Sequence, residues 1–256
     1  MRPLKRLGQS FLKDTKVLER IAAVSEITPG DTVVEIGPGH GELTRRLLAH
    51  EPGRLIAIEQ DPRMISYYLK SLASDYPPLE IVAGDALVEL PDITKNLGEY
   101  VVVGNIPYYI TGALLRLLGQ LAKKPKCIVL TVQKEVALRA TAQPPKMNIL
   151  AASLGFWADL RLVRYINRKS FRPAPKVDSA VLKIVPRKSQ ANTVTADRYY
   201  ATLHVLFNQP RKTIWNNLKA AAVTKEAVIA LGIDPKLRPQ NLTVLEIEQI
   251  STLFTE

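Results

Sequence analysis

The stretch GNIPYYI, residues 104–110, places polar and aromatic side chains directly after the apolar run YVVV. These residue types suit one reaction, the attack of an adenine amino group on a methyl group. An adenine amino group is a poor nucleophile because its lone pair is delocalised into the ring. Two acceptors for its hydrogens would favour a tetrahedral nitrogen whose lone pair can attack a methyl group. Asn105 can supply one acceptor, and the carbonyl of Ile106 is the second candidate because Pro107 restricts its backbone to extended geometry. Tyr108 offers a ring face on which an extruded base can stack. A plain turn residue is the other interpretation of the asparagine.

Three further strand ends carry residues that suit a nucleoside. Gly37, Gly39 and Gly41 follow the apolar run TVVEI and permit a tight turn at the start of a helix. Glu59 ends the next strand about 20 residues on, where one carboxylate can accept both hydroxyls of a ribose. Asp85 ends a third strand and is placed to accept from an adenine amino group. A helix or turn cap is the alternative role for this aspartate.

The glycine spacing separates two classes of nucleoside-containing cofactor. G-x-G-x-G departs from the G-x-G-x-x-G fingerprint of dinucleotide-binding proteins. NAD carries a pyrophosphate that must be cradled, whereas S-adenosylmethionine carries none. Residues 21–107 hold 6 basic and 13 acidic side chains, and these surroundings tolerate a sulfonium cation. The pattern favours S-adenosylmethionine, with a nicotinamide oxidoreductase as a remote alternative.

Apolar strands alternating with amphipathic helices predict an α/β fold with a doubly wound, parallel, Rossmann-like sheet. A helix is expected over 14–27, with Asp14 as its N-cap. The expected strands of the sheet are 32–36, 54–59, 79–85, 100–105 and 127–132. Two more strands, LRLVRYI and SAVLKIV, flank the loop NRKSFRPAPKVD. Only helical patterns follow the second of these strands. We therefore expect an α/β domain over residues 1–188 and a small all-helical domain over residues 189–256.

Positive charge is concentrated in one part of the chain. Residues 108–190 contain 16 Lys and Arg against three acidic residues, and the whole chain carries a net charge of +11. Such a concentration is the electrostatic footprint of a polyanionic partner, with nucleic acid first and an anionic membrane second. A solvated surface is the alternative.

The composition excludes several classes of protein. No apolar stretch approaches the roughly 20 residues that span a bilayer, and the N-terminus lacks the apolar segment of a signal peptide. Cys127 is the single cysteine, which excludes an internal disulfide and predicts a buried thiol. The three histidines lack metal-ligand spacing, so no metal is expected. A soluble cytoplasmic protein is the expectation.

The chain resembles the small-subunit ribosomal RNA adenine dimethyltransferases. The similarity covers nearly the whole chain and is carried by LGQSFLKD, VVEIGPGHGELT, IAIEQD, VAGDA, VGNIPYYIT, QKEVALR, FRPAPKVDSAV, FNQPRKTIWNNL and GIDPKLRPQNL. The resemblance implies that Tyr108 and Phe171 sandwich the target adenine. It also implies a cofactor site lined by Ser10, Leu12, Gly37, Gly39, Glu59, Asp85 and Asn105.

The chain departs from the usual family pattern at a few positions. Ser10 stands where the family usually has asparagine, and Ile106 replaces a commoner leucine. Trp215 replaces a frequent arginine in the helical domain, which removes one expected phosphate contact. Phe171 has an alternative role as an apolar anchor of its loop, and Tyr109 is assigned to packing.

The resemblance implies dimethylation of the amino groups of two adjacent adenosines in the 3′-terminal hairpin of small-subunit (16S-type) rRNA. The expected setting is an assembling 30S-type particle during ribosome biogenesis, with the enzyme a monomer. Candidate phosphate contacts, which position RNA rather than read its bases, are Lys169, Arg172, Lys176, Arg211 and Lys212.

Two alternatives to this function stay open. A large-subunit rRNA adenine methyltransferase is the nearer one, and the stretches PKVDSAV and GIDPKLRPQNL favour the small-subunit enzyme over it. A non-catalytic ribosome-assembly or RNA-binding factor is the other. Intact Glu59, Asp85, Asn105 and Tyr108 argue against an inactive protein.

Overall fold

A computed structural model describes residues 9–187, 194–221 and 223–254 of the chain. Its contacts divide the chain into two compact units. The first comprises Met1–Ala137 and Leu160–Pro186, and the second comprises Leu138–Asp159 and Arg187–Glu256.

The first unit is built on a sheet whose strand order is β4-β3-β2-β5-β6-β9-β7. A separate two-stranded ladder joins β1 to β8. The strands are β1 Phe11–Leu12, β2 Thr32–Ile36, β3 Arg54–Glu59, β4 Leu79–Ala83, β5 Tyr100–Asn105, β6 Cys127–Gln133, β7 Ala158–Ile166, β8 Phe171–Arg172 and β9 Ser179–Pro186.

The helices of the first unit follow the strands in alternation, as the sequence pattern predicts. They are α1 Thr15–Val24, α2 Glu42–Leu48, α3 Pro62–Met64, a π-helical turn Ile65–Leu69, α4 Lys70–Asp75, α5 Ala86–Thr94, a 3₁₀ turn Tyr108–Ile110, α6 Thr111–Gln120 and α7 Lys134–Ala140, the last of which crosses into the second unit. Asp14 caps α1 by accepting a hydrogen bond from the backbone N–H of Val17, so the predicted cap is confirmed.

The predicted α/β fold is confirmed, and its sheet contains both parallel and antiparallel pairs. Strands β4, β3, β2, β5 and β6 pair in parallel, and the apolar side chains of β3, β2, β5 and β6 are buried on both faces. Strand β9 pairs antiparallel with β6, with Ser179 opposite Gln133. The segment 167–178 returns the chain from β7 to β9 without a crossover helix, so the sheet is mixed.

The second unit is helical around its own apolar core. Its helices are α8 Ile149–Gly155, α9 Ala196–Phe207, α10 Ile214–Leu218, α11 Lys225–Ala230 and α12 Val244–Ser251. The ring of Phe156 stacks on Tyr199 with centroids 4.1 Å apart, and Tyr199 donates a hydrogen bond to the carbonyl of Ala152. These contacts group residues 138–159 with the C-terminal helices. The predicted boundary at residue 188 lies outside the described residues.

Candidate active site

A pocket opens where the carboxyl ends of β2, β3, β4 and β5 meet at one edge of the sheet. In a doubly wound sheet this edge is the usual ligand site. Ser10 and Asn105, which are 95 residues apart in the sequence, meet here. The carboxyl ends of β3 and β5 lie on either side of that of β2, because β2 lies between them in the sheet. The predicted residues that line the pocket are Ser10, Gly37, Gly39, Glu59, Asp85, Asn105 and Pro107.

Asn105 ends β5 with its amide held in one orientation. Its Nδ2 donates a hydrogen bond to the backbone carbonyl of Ser10 at 3.1 Å. The side-chain oxygen is therefore the acceptor left for a ligand, and no described residue hydrogen-bonds to it. Since Ser10 contributes its backbone here, the serine in place of the family's asparagine leaves this contact intact.

Glu59 ends β3 as a largely buried carboxylate, 7% exposed. Its Oε2 accepts from the backbone N–H of Gly39 at 3.0 Å, and its Oε1 accepts from that of Asp61 at 2.8 Å. Burial raises its pKa, and these two hydrogen bonds oppose the rise. Each oxygen retains a lone pair for a ligand hydroxyl. Glu59 therefore ties the glycine-rich turn to β3 and still lines the pocket.

Asp85 has the cap role that the sequence left open, and it also reaches the pocket. Its Oδ1 caps α5 by accepting from the backbone N–H of Leu87 at 2.9 Å. The residue also lines the pocket, and within the described residues no hydrogen bond involves Oδ2. One oxygen stabilises the helix, and the other is available to a ligand.

The charges of the pocket fit S-adenosylmethionine better than a dinucleotide. Glu59 and Asp85 are its carboxylates, and neither Lys nor Arg occurs among the described residues that line it. A sulfonium cation and a neutral nucleoside suit these surroundings, whereas a pyrophosphate would have no cationic partner.

The segment before α1 covers part of the pocket, and two of the residues with which it does so were not predicted. Gln9 and Phe11 line it beside Ser10. The ring of Phe11 lies 3.8 Å from that of His40 in the glycine-rich turn, and Lys13 forms an ion pair with Glu42. Contacts between segments so distant in sequence leave no local pattern from which to predict them.

Two predicted site residues lie in the apolar core instead. Leu12 and Phe171 face each other in the β1–β8 ladder, 3% and 1% exposed. In this conformation the Phe171 ring presents no face to a base, so the alternative role as an apolar anchor describes it. Burial of both apolar side chains explains their placement. The Ile106 side chain is buried too.

The two tyrosines of the motif lie in different surroundings. Tyr108 is half-buried, and its hydroxyl lies 2.6 Å from Ser179 Oγ. Tyr109 is 58% exposed and lines the pocket, and its hydroxyl donates to Gln60 at 3.4 Å. The packing role assigned to Tyr109 is wrong, because the 3₁₀ turn directs neighbouring side chains to different sides.

The predicted phosphate contacts are exposed. Lys169, Arg172 and Lys176 lie in the segment between β7 and β9 of the first unit, and Arg211 and Lys212 lie in a turn of the second. Arg172 donates to the carbonyls of Lys169 and Phe171, both at 3.1 Å. None of these five side chains has an acidic ion-pair partner among the described residues.

Other expectations concern the rest of the molecule. Cys127 is buried and free, as predicted, and burial raises the pKa of its thiol to about 11. In the described ranges, no group of three metal-ligating side chains is found. The described helices include none with the length and apolar character needed to cross a bilayer.

Comparison with known proteins identifies the class to which this fold and pocket belong. The ribosomal RNA adenine dimethylase family matches residues 3–256. The chain belongs to this family, which confirms the predicted resemblance. It is an enzyme that uses S-adenosylmethionine.

Individual relatives are similar over nearly their full lengths. Ribosomal RNA small subunit methyltransferase A of Dehalococcoides mccartyi is 35% identical over 100% of this chain and 90% of its own. The protein of that name from Chlorobium phaeobacteroides is 37% identical over 91% and 88%. A dimethyladenosine transferase from Plasmodium falciparum superposes with a TM-score of 0.79 at 28% identity, covering 94% and 95%. The 23S rRNA methyltransferase ErmE superposes at 0.78 and 25% identity, covering 96% and 100%.

Proposed function

We propose that this enzyme dimethylates the exocyclic amino groups of two adjacent adenosines in the 3′-terminal hairpin of small-subunit rRNA. The observation that carries the proposal is the Asn105 amide, held by the Ser10 carbonyl with its oxygen free at the edge of the pocket. The names of the two similar bacterial proteins support the choice of small-subunit rRNA.

Pocket residues provide the groups that a methyl donor needs. Glu59 is the acceptor for the ribose hydroxyls, and Asp85 Oδ2 is the acceptor for the adenine amino group. Ser10, Gly37 and Gly39 line the same pocket with small side chains or none. When bound, S-adenosylmethionine supplies an electrophilic methyl group on a sulfonium.

The adenine amine that receives the methyl group requires positioning more than strong acid–base catalysis. The Asn105 oxygen and the Ile106 carbonyl accept the two hydrogens of the adenine amine and direct its lone pair toward the donor. Pro107 keeps Ile106 extended, and Tyr108 stacks on the extruded base. Because the nitrogen becomes acidic as it is methylated, it loses its proton without a dedicated base, and orientation supplies most of the rate.

The basic residues of each unit are the proposed contacts for RNA phosphates. Lys169, Arg172 and Lys176 neutralise phosphates on the first unit, and Arg211 and Lys212 do so on the helical one. We assign catalysis to residues 1–188 and further positioning of the RNA to residues 189–256. The enzyme acts in the cytoplasm as a monomer on an assembling 30S-type particle.

Methyl transfer to small subunits that lack the modification tests the assignment. Asn105→Ala should abolish incorporation of tritiated methyl groups yet leave the affinity for RNA within a few-fold, because the phosphate contacts remain. Asn96→Ala is the matched control, since Asn96 is exposed and lies outside the pocket. Undiminished incorporation by Asn105→Ala would exclude the role given to Asn105.

The similarity to ErmE favours one second candidate, methylation of large-subunit rRNA. Primer extension across both rRNAs from cells lacking the gene separates the two substrates, because dimethyladenosine stops the polymerase. We expect stops in small-subunit rRNA to disappear with the gene. Loss of a stop in large-subunit rRNA instead would favour this second candidate.

A further inference from the structure

The Tyr108 hydroxyl makes one contact that the proposed chemistry does not use. It lies 2.6 Å from Ser179 Oγ, a hydrogen bond between residues 71 positions apart. Ser179 is fully buried, with 0% exposure. The bond therefore ties the turn after β5 to the first residue of β9.

Ser179 is held in place independently of this bond. It pairs with Gln133 in the β6–β9 ladder. Its neighbour Asp178 accepts from the backbone N–H of Lys134 at 3.0 Å through its carbonyl. The Asp178 carboxylate accepts from the backbone N–H of Arg168, also at 3.0 Å. The serine hydroxyl therefore belongs to a part of the sheet whose backbone is held by several hydrogen bonds.

Tyr108 itself has weaker restraints on its ring. It lies in a short 3₁₀ turn, is half-buried and has part of its surface open. Burial raises the pKa of its hydroxyl, so the group stays protonated at neutral pH. A tyrosine hydroxyl bonded to a fixed partner restricts rotation of the ring about its side-chain torsions.

We infer that Ser179 is a positioning residue that holds the Tyr108 ring in the orientation needed to stack on the extruded adenine. The inference rests on the proposed function, in which Tyr108 is the stacking residue. Ser179 touches neither the base nor the methyl donor in this account. Its effect passes entirely through the tyrosine hydroxyl.

A double-mutant cycle with Ser179→Ala and Tyr108→Phe tests the inference. Each variant removes the same hydrogen bond while keeping the ring. We expect each to lower kcat for small subunits about fivefold, the effect of one lost hydrogen bond of about 1 kcal/mol. The KM for S-adenosylmethionine should stay unchanged, and the double variant should be no slower than either single one.

Fluorescence of RNA with 2-aminopurine at the target position reports stacking directly. Quenching by Tyr108 should weaken equally in Ser179→Ala and Tyr108→Phe. Ser25→Ala is the matched control for a lost buried hydroxyl, since Ser25 is equally buried and its hydroxyl donates, among the described residues, only to the carbonyl of Ile21. It should match the wild type in kcat and quenching, and melting temperatures of all variants establish that they fold.

Two results would overturn the inference while leaving the proposed function standing. One is wild-type kcat and quenching in Ser179→Ala; the other is additive losses in the double variant, which would mean that the two hydroxyls act separately. Failure of the proposed function looks different, because the wild-type enzyme would then transfer no methyl groups to small subunits.

Discussion

At the scale of single residues, the Asp85 carboxylate has a structural role and, in the proposed function, a binding role as well. Its Oδ1 caps α5, while Oδ2 has no partner among the described residues. Serine would keep the cap and remove the charge, whereas alanine would remove both. The two roles can therefore be separated by experiment.

Asp85→Ser and Asp85→Ala should both raise the Kd for S-adenosylmethionine, by about tenfold for a hydrogen bond to a charged group. Only Asp85→Ala should lower the free energy of unfolding, by about 1 kcal/mol for the lost cap. Calorimetric titration and urea unfolding measure the two effects. Unchanged donor affinity in Asp85→Ser would show that the carboxylate does not contact the donor.

The positions of the candidate site residues were predictable where a motif ends a strand. They were less predictable where side-chain packing determines the position. Asn105, Glu59 and Asp85 stand at strand ends, so the parallel pattern alone brought them to one edge. Phe171 and Leu12 follow no such rule, because pairing of β1 with β8 buries both. That long-range pairing has no signature in either short segment.

At the scale of elements, the segment before α1 packs against the glycine-rich turn. Phe11 packs on His40, whose ring in turn lies 4.5 Å from that of Tyr68. A Cβ on Gly39 would lie 2.9 Å from the Phe11 ring. Gly39 thus allows both the turn and the close approach of β1.

Gly39→Ala should displace Phe11 and weaken donor binding more than tenfold. Gly30→Ala is the matched control: both glycines have positive φ, +57° and +87°, but a Cβ on Gly30 would meet nothing within 4 Å. Both variants should lose about 1 kcal/mol of stability through left-handed backbone strain. Donor affinity that falls equally in both variants would contradict a specific contact with β1.

Most elements were predictable because their apolar runs have the length and period of buried strands. Strands 32–36, 54–59 and 100–105 are found with the predicted bounds. Helix α8 was not predicted, although Asn148 caps it through hydrogen bonds to Leu150 and Ala151. Its small apolar residues lack a strong helical stripe, and packing against Tyr199 stabilises it.

At the scale of the whole molecule, one buried acid couples the stability of the fold to pH. Glu35 in β2 is 1% exposed, and neither carboxylate oxygen has a hydrogen-bond partner among the described residues. Burial raises its pKa from 4.5 to about 8, and the nearby Glu59 adds to the rise. The folded protein therefore holds a proton that the unfolded chain releases near pH 4.5.

Removing this charge should flatten the pH dependence of stability. The contribution of Glu35 is fully present below pH 4.5 and is lost as the pH rises to about 8. Relative to wild type, Glu35→Gln should gain about 1 kcal/mol per pH unit across that range. Urea unfolding without donor measures the difference, with exposed Glu19→Gln as the control. Parallel pH profiles for wild type and Glu35→Gln would contradict the shift.

The most direct test of the account is a crystal structure with S-adenosylmethionine bound. We predict that the ribose lies on Glu59 and the adenine amino group on Asp85. The methyl group should face the side-chain oxygen of Asn105. Two results would contradict the account. One is a donor bound away from the carboxyl ends of β2, β3, β4 and β5, and the other is an Asn105 oxygen turned inward and closed off from the pocket.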